Sequence, residues 1–261
     1  MVWDLEGRSV HSDVMAFCNP ETRASVQLKP NEAHLWTIPL DDPIGAESLR
    51  ELLDDTELLR GSRFYFASHR RRWFNARAAM RQILSIYLDR PPQSLVFETN
   101  KYGKPRLTAP HGTVHFNLAH SRGLGLFAVS TQAVGIDVEY ADRGLDWQAL
   151  ARHVFSDAEL ELLACEPVKQ RRQLFFRLWT HKEAYIKGRG LGLSLPLKAF
   201  SIRFKYRTQA DVVVQPEWDN GEPWRVTTLS VKANYMAALA AATPIHATRR
   251  FKWMVAGDFS A

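Results

Sequence analysis

Leu124-Gly125-Leu126-Phe127-Ala128-Val129-Ser130-Thr131-Gln132-Ala133-Val134-Gly135-Ile136-Asp137-Val138-Glu139-Tyr140 holds two extended apolar runs separated by a polar break. Runs of this length, rich in β-branched and aromatic residues, favour strands. Thr131-Gln132 reads as the turn of an antiparallel hairpin, and the chain divides into two halves near residue 134. Side chains of a strand alternate faces, so Asp137 and Glu139 share one face while Ile136 and Val138 turn into a core. Two neighbouring carboxylates repel, and a cation between them relieves the repulsion. On its own the pair is equally an ordinary exposed strand face.

Toward the C-terminus, Ser156 predicts a helix cap with Glu159 at capping-box spacing, and a helix follows from Val168 to Lys187. At about 100° per residue its apolar stripe collects Leu174, Phe175, Leu178, Trp179, Tyr185 and Ile186. Glu183 lies at the edge of the stripe, and Lys187 sits one turn further on. Such a pair is usually a minor surface salt bridge. Lys182 falls inside the apolar arc, so it either snorkels to solvent or reaches a polar cleft. Gly188, Gly190 and Gly192 break the helix without the GxGxxG spacing or the preceding strand of a nucleotide fold. Strands are expected near 200–204, 211–214, 224–229 and 234–241.

Toward the N-terminus, residues 1–30 read as an irregular lead-in, His34–Pro39 as a strand, and Glu47–Leu59 and Ser62–Leu88 as helices. Arg90-Pro91-Pro92 stops the second helix. Leu95–Glu98 and His115–Leu118 are short strands around a turn, Asn100 to Pro105, expected to present Lys104 outward. Each half thus reads as helices followed by a small antiparallel sheet. His120 alone would be an ordinary core histidine, and most arginines between Arg60 and Arg81 a solvated helix face.

The 261 residues are 46% apolar and 24% charged, an ordinary globular balance, and 34 Lys+Arg against 28 Asp+Glu give a net +6 that suits anionic partners. Cys18 and Cys165 lack the spacing of a zinc site or disulfide framework and fit a reducing cytoplasm. The first twenty residues lack the apolar core of a secretion signal, and the longest apolar run, Tyr235 to Ala242, falls far short of a membrane span of roughly 20 residues. A cytoplasmic protein without membrane contact is expected.

Taken together and in order, RFYF and RRRWF within 63–74, YGKPRL at 102–107, HFNLAHS at 115–121, GIDVE at 135–139 and WTHKEAYIKGRGLGLSLPL at 179–197 resemble the Sfp-type 4′-phosphopantetheinyl transferases. The matching pieces span about 135 residues, and the acidic strand motif followed by W-x-x-K-E-x-x-x-K is the most specific. The resemblance implies an α+β pseudo-dimer of two similar subdomains, 1–134 and 135–261, each a small antiparallel sheet with helices, with the active site in the cleft between them. It implies a monomer that moves 4′-phosphopantetheine from coenzyme A to a serine of an acyl or peptidyl carrier protein, with Mg2+ as cofactor.

By the same resemblance, Asp137, Glu139 and Glu183 coordinate Mg2+, and Glu183 and Lys187 are catalytic. Arg60, Arg72, Lys104, His120 and Lys187 bind coenzyme A, and Leu191 and Leu193 meet the carrier protein, whose modified serine usually lies beside an acidic helix. Two positions depart from the family: Ala119 replaces a common serine, and Glu57 stands where a lysine can occur. A nucleic-acid-binding protein using the arginine-rich helix is the alternative of another class, but no nucleic-acid motif accompanies it, and such a binder has no use for the acidic residues. An inactive scaffold of the same fold is opposed by the intact acidic positions and Lys187.

Overall fold

The computed structural model describes residues 2–3, 9–10, 13–14, 26–42, 51–108, 114–142 and 144–254. In chain order these form β1 (Val2–Trp3), β2 (Ser9–Val10), β3 (Asp13–Val14), β4 (Glu32–Pro39), α1 (Asp55–Ser62), α2 (Ala67–Leu88), β5 (Phe97–Thr99), β6 (Pro105–Leu107), β7 (His115–Ser121), β8 (Leu124–Ser130) and β9 (Val134–Tyr140). There follow α3 (Trp147–Val154), α4 (Asp157–Cys165), α5 (Val168–Arg189), β10 (Phe200–Phe204), β11 (Gln209–Val214), β12 (Arg225–Leu229), β13 (Tyr235–Ala241) and β14 (Ala247–Lys252). The class is α+β, as expected.

The two halves repeat one wiring. β4 leads into helices and then into β7 and β8, and β8 returns to pair antiparallel with β4. β9 likewise leads into helices and then strands, and β13 returns to pair antiparallel with β9. The sheet orders are β3-β14-β4-β8-β7 and β10-β11-β12-β13-β9. Each sheet carries a 22-residue helix over its own core: α2 over Trp36, Ile38 and Phe127, and α5 over Phe200, Val226 and Ala238. A third apolar layer joins the halves, with Leu126 and Ala128 of β8 against Ile136 and Val138 of β9 and Ala237 and Leu239 of β13. Its many alanines bring the two sheets close.

The expected hairpin of 124–130 with 133–140 does not form. β8 pairs with β4 and β7, while β9 pairs with β13. Both faces of β8 are buried, which suits a central strand, and its residues meet β9 across the apolar layer rather than edge to edge. The hairpin is instead β7–β8, turned at Arg122-Gly123 with Arg122 at φ 51°.

Other boundaries shift for local reasons. Residues 47–50 of the expected 47–59 helix lie outside the described residues, and α1 begins at Asp55 behind a full capping box of Asp54 and Glu57. The long helix starts at Ala67 instead of Ser62. The α4 capping box of Ser156 and Glu159 is present. The short helix α3 was not expected. Nor was β14, which returns from the C-terminal region to pair in parallel with β4 of the first half. No helix among the described residues is long and apolar enough to cross a membrane.

Candidate active site

The site is built on the contact between β9 and α5. A Cβ on Gly135 would lie 2.0 Å from the Ala184 carbonyl oxygen and 2.2 Å from the Gly188 nitrogen, so only glycine lets strand and helix backbones meet there. Two residues along, Asp137 turns toward the helix, and the Lys187 ammonium donates to its Oδ1 at 2.5 Å. The minor Glu183–Lys187 surface bridge that spacing alone would suggest gives way to a longer-range pair with a buried carboxylate. Asp137 is 2% exposed, and its Oδ2 is buried with no hydrogen-bond partner.

Burial pushes Asp137, Glu139 and Glu183 above the ordinary carboxylate range. Asp137 adds to the rise in Glu139, and both add to the rise in Glu183. Burial opposes the charge on Lys187, yet Asp137, Glu183 and Glu139 together hold it above its usual value. Ser121, which the sequence reading left without a role, donates its hydroxyl to Glu139 Oε2 at 2.9 Å and accepts from the Tyr140 amide at 3.1 Å. Asn117 in the same motif accepts from the Ile136 amide at 2.7 Å, tying β7 to β9 across the halves.

As the side chains stand, no group of three or more His, Cys, Asp or Glu among the described residues is close enough to hold a metal ion. The donor chemistry nonetheless fits a hard divalent cation: three carboxylates whose pKa values are raised by burial, Asp137 adding to the rise in the other two, and one of them with an unpartnered buried oxygen. Asp137, Glu139 and Glu183 are the residues that would ligate it.

The basic residues singled out in the sequence take different places. His120 on β7 keeps part of its surface open to solvent, yet the protein packed around the ring, with Lys187 and Arg72, lowers its pKa. Arg72 is held by Asp41 through Nε to Oδ1 at 2.7 Å and Nη2 to Oδ2 at 3.1 Å, a fork that a phosphate would have to replace. Arg60 stacks on Trp73 with its guanidinium 4.8 Å from the ring centroid. Lys104 departs from the outward presentation expected of its turn, because its ammonium points inward onto the carbonyl oxygens of Val134 and Gly188.

Three further side chains take structural places. Lys182 neither snorkels nor reaches the cleft: it is fully buried, 2.6 Å from Glu159 Oε2 and 2.7 Å from the Phe200 carbonyl oxygen. Glu57 accepts from Arg81 at 2.6 Å and faces Arg77 at 3.2 Å, which explains an acid where a lysine can occur. Ala119 packs in the apolar layer between the sheets. Beyond α5, Leu193 is 84% exposed, Leu191 is half-buried against the second core, and Leu195 is fully buried. A cavity of about 640 Å3 opens beside Glu139, walled by Tyr140, Phe175, Phe176 and Trp179.

Residues 133–240 match the family model described as the 4′-phosphopantetheinyl transferase superfamily. The chain is 40% identical over 199 residues to the 4′-phosphopantetheinyl transferase HetI of Nostoc sp., covering 74% of this chain and 83% of that protein. It is 32% identical to the 4′-phosphopantetheinyl transferase psf-1 of Bacillus pumilus, over 79% of this chain and 87% of that one. It is 28% identical to the 4′-phosphopantetheinyl transferase Sfp of Bacillus subtilis, over 80% and 92%.

Proposed function

The chain belongs to the 4′-phosphopantetheinyl transferase superfamily, and from that premise we propose that it transfers 4′-phosphopantetheine from coenzyme A to a serine of an acyl or peptidyl carrier protein. The observation that carries this reading is a cluster of opposite charges where the halves meet: Asp137, Glu139 and Glu183 on β9 and α5 act on Lys187, and His120 of β7 feels both Lys187 and Arg72. Carboxylates without cations would repel a pyrophosphate, and cations without carboxylates would leave no place for a metal.

In the reaction a serine hydroxyl attacks the β-phosphate of coenzyme A, the bond to the α-phosphate oxygen breaks, and 3′,5′-ADP leaves. Mg2+ held by Asp137, Glu139 and Glu183 would supply charge neutralisation at the pyrophosphate oxygens. The remaining work falls to the chain itself. Lys187 exchanges Asp137 for the phosphates and stabilises the charge that grows on the leaving group. Glu183, its pKa raised by burial, accepts the serine proton. His120 and Arg72 hold phosphate oxygens, with Arg72 giving up Asp41 for the 3′-phosphate and Arg60 beyond it on α1. The apolar wall of Phe175, Phe176 and Trp179 receives the pantetheine arm. Leu193, exposed past the helix exit, and Leu191 beside it offer apolar contact to the carrier protein.

The test is to incubate the protein with coenzyme A, Mg2+ and a panel of apo-carrier proteins and read intact masses. A gain of one phosphopantetheine on a carrier, dependent on Mg2+, is expected. Absence of any gain across acyl and peptidyl carriers would refute the assignment.

A further inference from the structure

The turn between β5 and β6 belongs to the first half, yet its side chains end on the helix exit of the second. Asn100 organises the turn: its Oδ1 accepts from the amides of Tyr102 at 3.0 Å and Lys104 at 2.9 Å. Its Nδ2 donates to the Gly190 carbonyl oxygen at 2.7 Å. Lys104 Nζ donates to the Gly188 carbonyl oxygen at 3.0 Å and to the Val134 carbonyl oxygen at 3.1 Å. The last carbonyls of a helix lack partners within it and carry partial negative charge. Here two of them, past Lys187, are capped by a different half of the chain. Gly190 closes the helix at φ 65°, and a Cβ there would lie 3.1 Å from Asn100 Nδ2 and 3.2 Å from Lys104 Cδ.

The places that Lys104 joins are specific. Gly188 directly follows Lys187, and Val134 opens the strand that carries Asp137 three residues later. One ammonium thus spans the end of α5 and the start of β9, beside the Gly135–Gly188 backbone contact. With two donors spent on carbonyls and the side chain turned inward, Lys104 is poorly placed to meet a ligand in the cleft. Burial accordingly pulls its pKa down to about 8.

We propose that Lys104 is a positioning residue: with Asn100 it caps the exit of α5 from the opposite half and fixes Lys187 against Asp137, without binding coenzyme A. The proposal rests on the transferase reading only for the consequence of that placement. Backbone hydrogen exchange tests the cap itself, with neither coenzyme A nor a carrier present. In Lys104→Met, exchange at the last turn of α5 and the start of β9 should quicken about ten-fold or more while α2 stays protected. Transfer kinetics test the consequence: kcat should fall at least about five-fold while the KM for coenzyme A stays within about two-fold.

Should Lys104→Met fail to fold, Asn100→Ala, which removes the cap on Gly190, should give the same local loss of protection. Unchanged exchange at the helix exit would overturn the proposal. So would a KM for coenzyme A raised about ten-fold or more at unchanged kcat, since that marks a direct ligand. Failure of the unaltered protein to transfer to any carrier would instead refute the function, leaving the exchange result to stand.

Discussion

Gly135 on β9 and Gly188 on α5 meet backbone to backbone, with no room for a Cβ at the strand position. This contact sets the distance between the strand that carries Asp137 and Glu139 and the helix that carries Glu183 and Lys187. Gly135→Ala would push a methyl group into the Ala184 carbonyl and the Gly188 amide, neither of which is a flexible side-chain end. We expect a stability loss of about 1–3 kcal/mol or more, as for overpacking of a tight core. The transfer rate should fall even in molecules that remain folded. Urea unfolding alongside single-turnover transfer measures both, and a stable, fully active variant would contradict the geometry.

Lys187→Ala removes the cation from Asp137 and from the proposed leaving group. We expect the transfer rate to drop at least about ten-fold, or ~1.4 kcal/mol in the barrier. Lys187→Arg should recover only part of it, because a planar fork replaces a point charge. Because its partner is a buried carboxylate, stability should also fall, by roughly 1–3 kcal/mol. Added Mg2+ should restore part of that loss. Single-turnover assays and melts with and without Mg2+ decide; an unchanged rate would remove Lys187 from the mechanism.

Asp137→Ala should abolish transfer while the protein stays folded, and any Mg2+-induced rise in melting temperature should disappear with it. Asp137 is the carboxylate with an unpartnered buried oxygen, so its removal also deletes a costly group. Turnover near that of the unaltered protein at saturating Mg2+ would exclude Asp137 as a ligand.

Arg72 is tied to Asp41 in the free protein. Coenzyme A lacking its 3′-phosphate should bind more weakly than coenzyme A, and Arg72→Ala should shrink that difference. Asp41→Asn loosens the competing fork and should tighten coenzyme A binding modestly. Calorimetric titration of the three proteins with both ligands gives the answer. Equal affinities in the unaltered protein would place the 3′-phosphate elsewhere.

Stability should fall on mild acidification because of two buried histidines outside the site. His34 is lowered to about 4 and His181 to about 3, both mainly by burial. His181 Nδ1–H donates to the Arg177 carbonyl oxygen at 2.7 Å, and the Thr228 hydroxyl donates to its Nε2 at 3.0 Å, so the neutral ring is fully satisfied. The folded pKa lies below the unfolded one, so the unfolded chain binds more protons below about pH 6.5 and stability is lost as pH falls through that window. Each histidine contributes a slope of about 1.4 kcal/mol per pH unit well inside it. Denaturant unfolding between pH 7.5 and 5 should be less steep with pH in His181→Gln than in the unaltered protein. Parallel pH dependences would rule His181 out as a source.

The sequence by itself determined the local units of the site. Alternation along residues 134–140 put Asp137 and Glu139 on one face, helical spacing put Glu183 and Lys187 a turn apart, and the Ser156–Glu159 box fixed a helix start. These follow from periods and caps contained within a few residues. What only the tertiary structure decided is which segments meet. The two apolar runs around Thr131 look like hairpin partners, but they stack face to face because each is buried on both sides. Lys182, set in an apolar arc, found Glu159 of another helix. Lys104, in a turn that looked solvent-facing, found the Gly188 carbonyl at the end of a helix 84 residues away. β14 found β4 across almost the whole chain. Partners so distant are chosen by which buried faces and unpaired backbone groups remain once the local units are packed, and no local pattern encodes that choice.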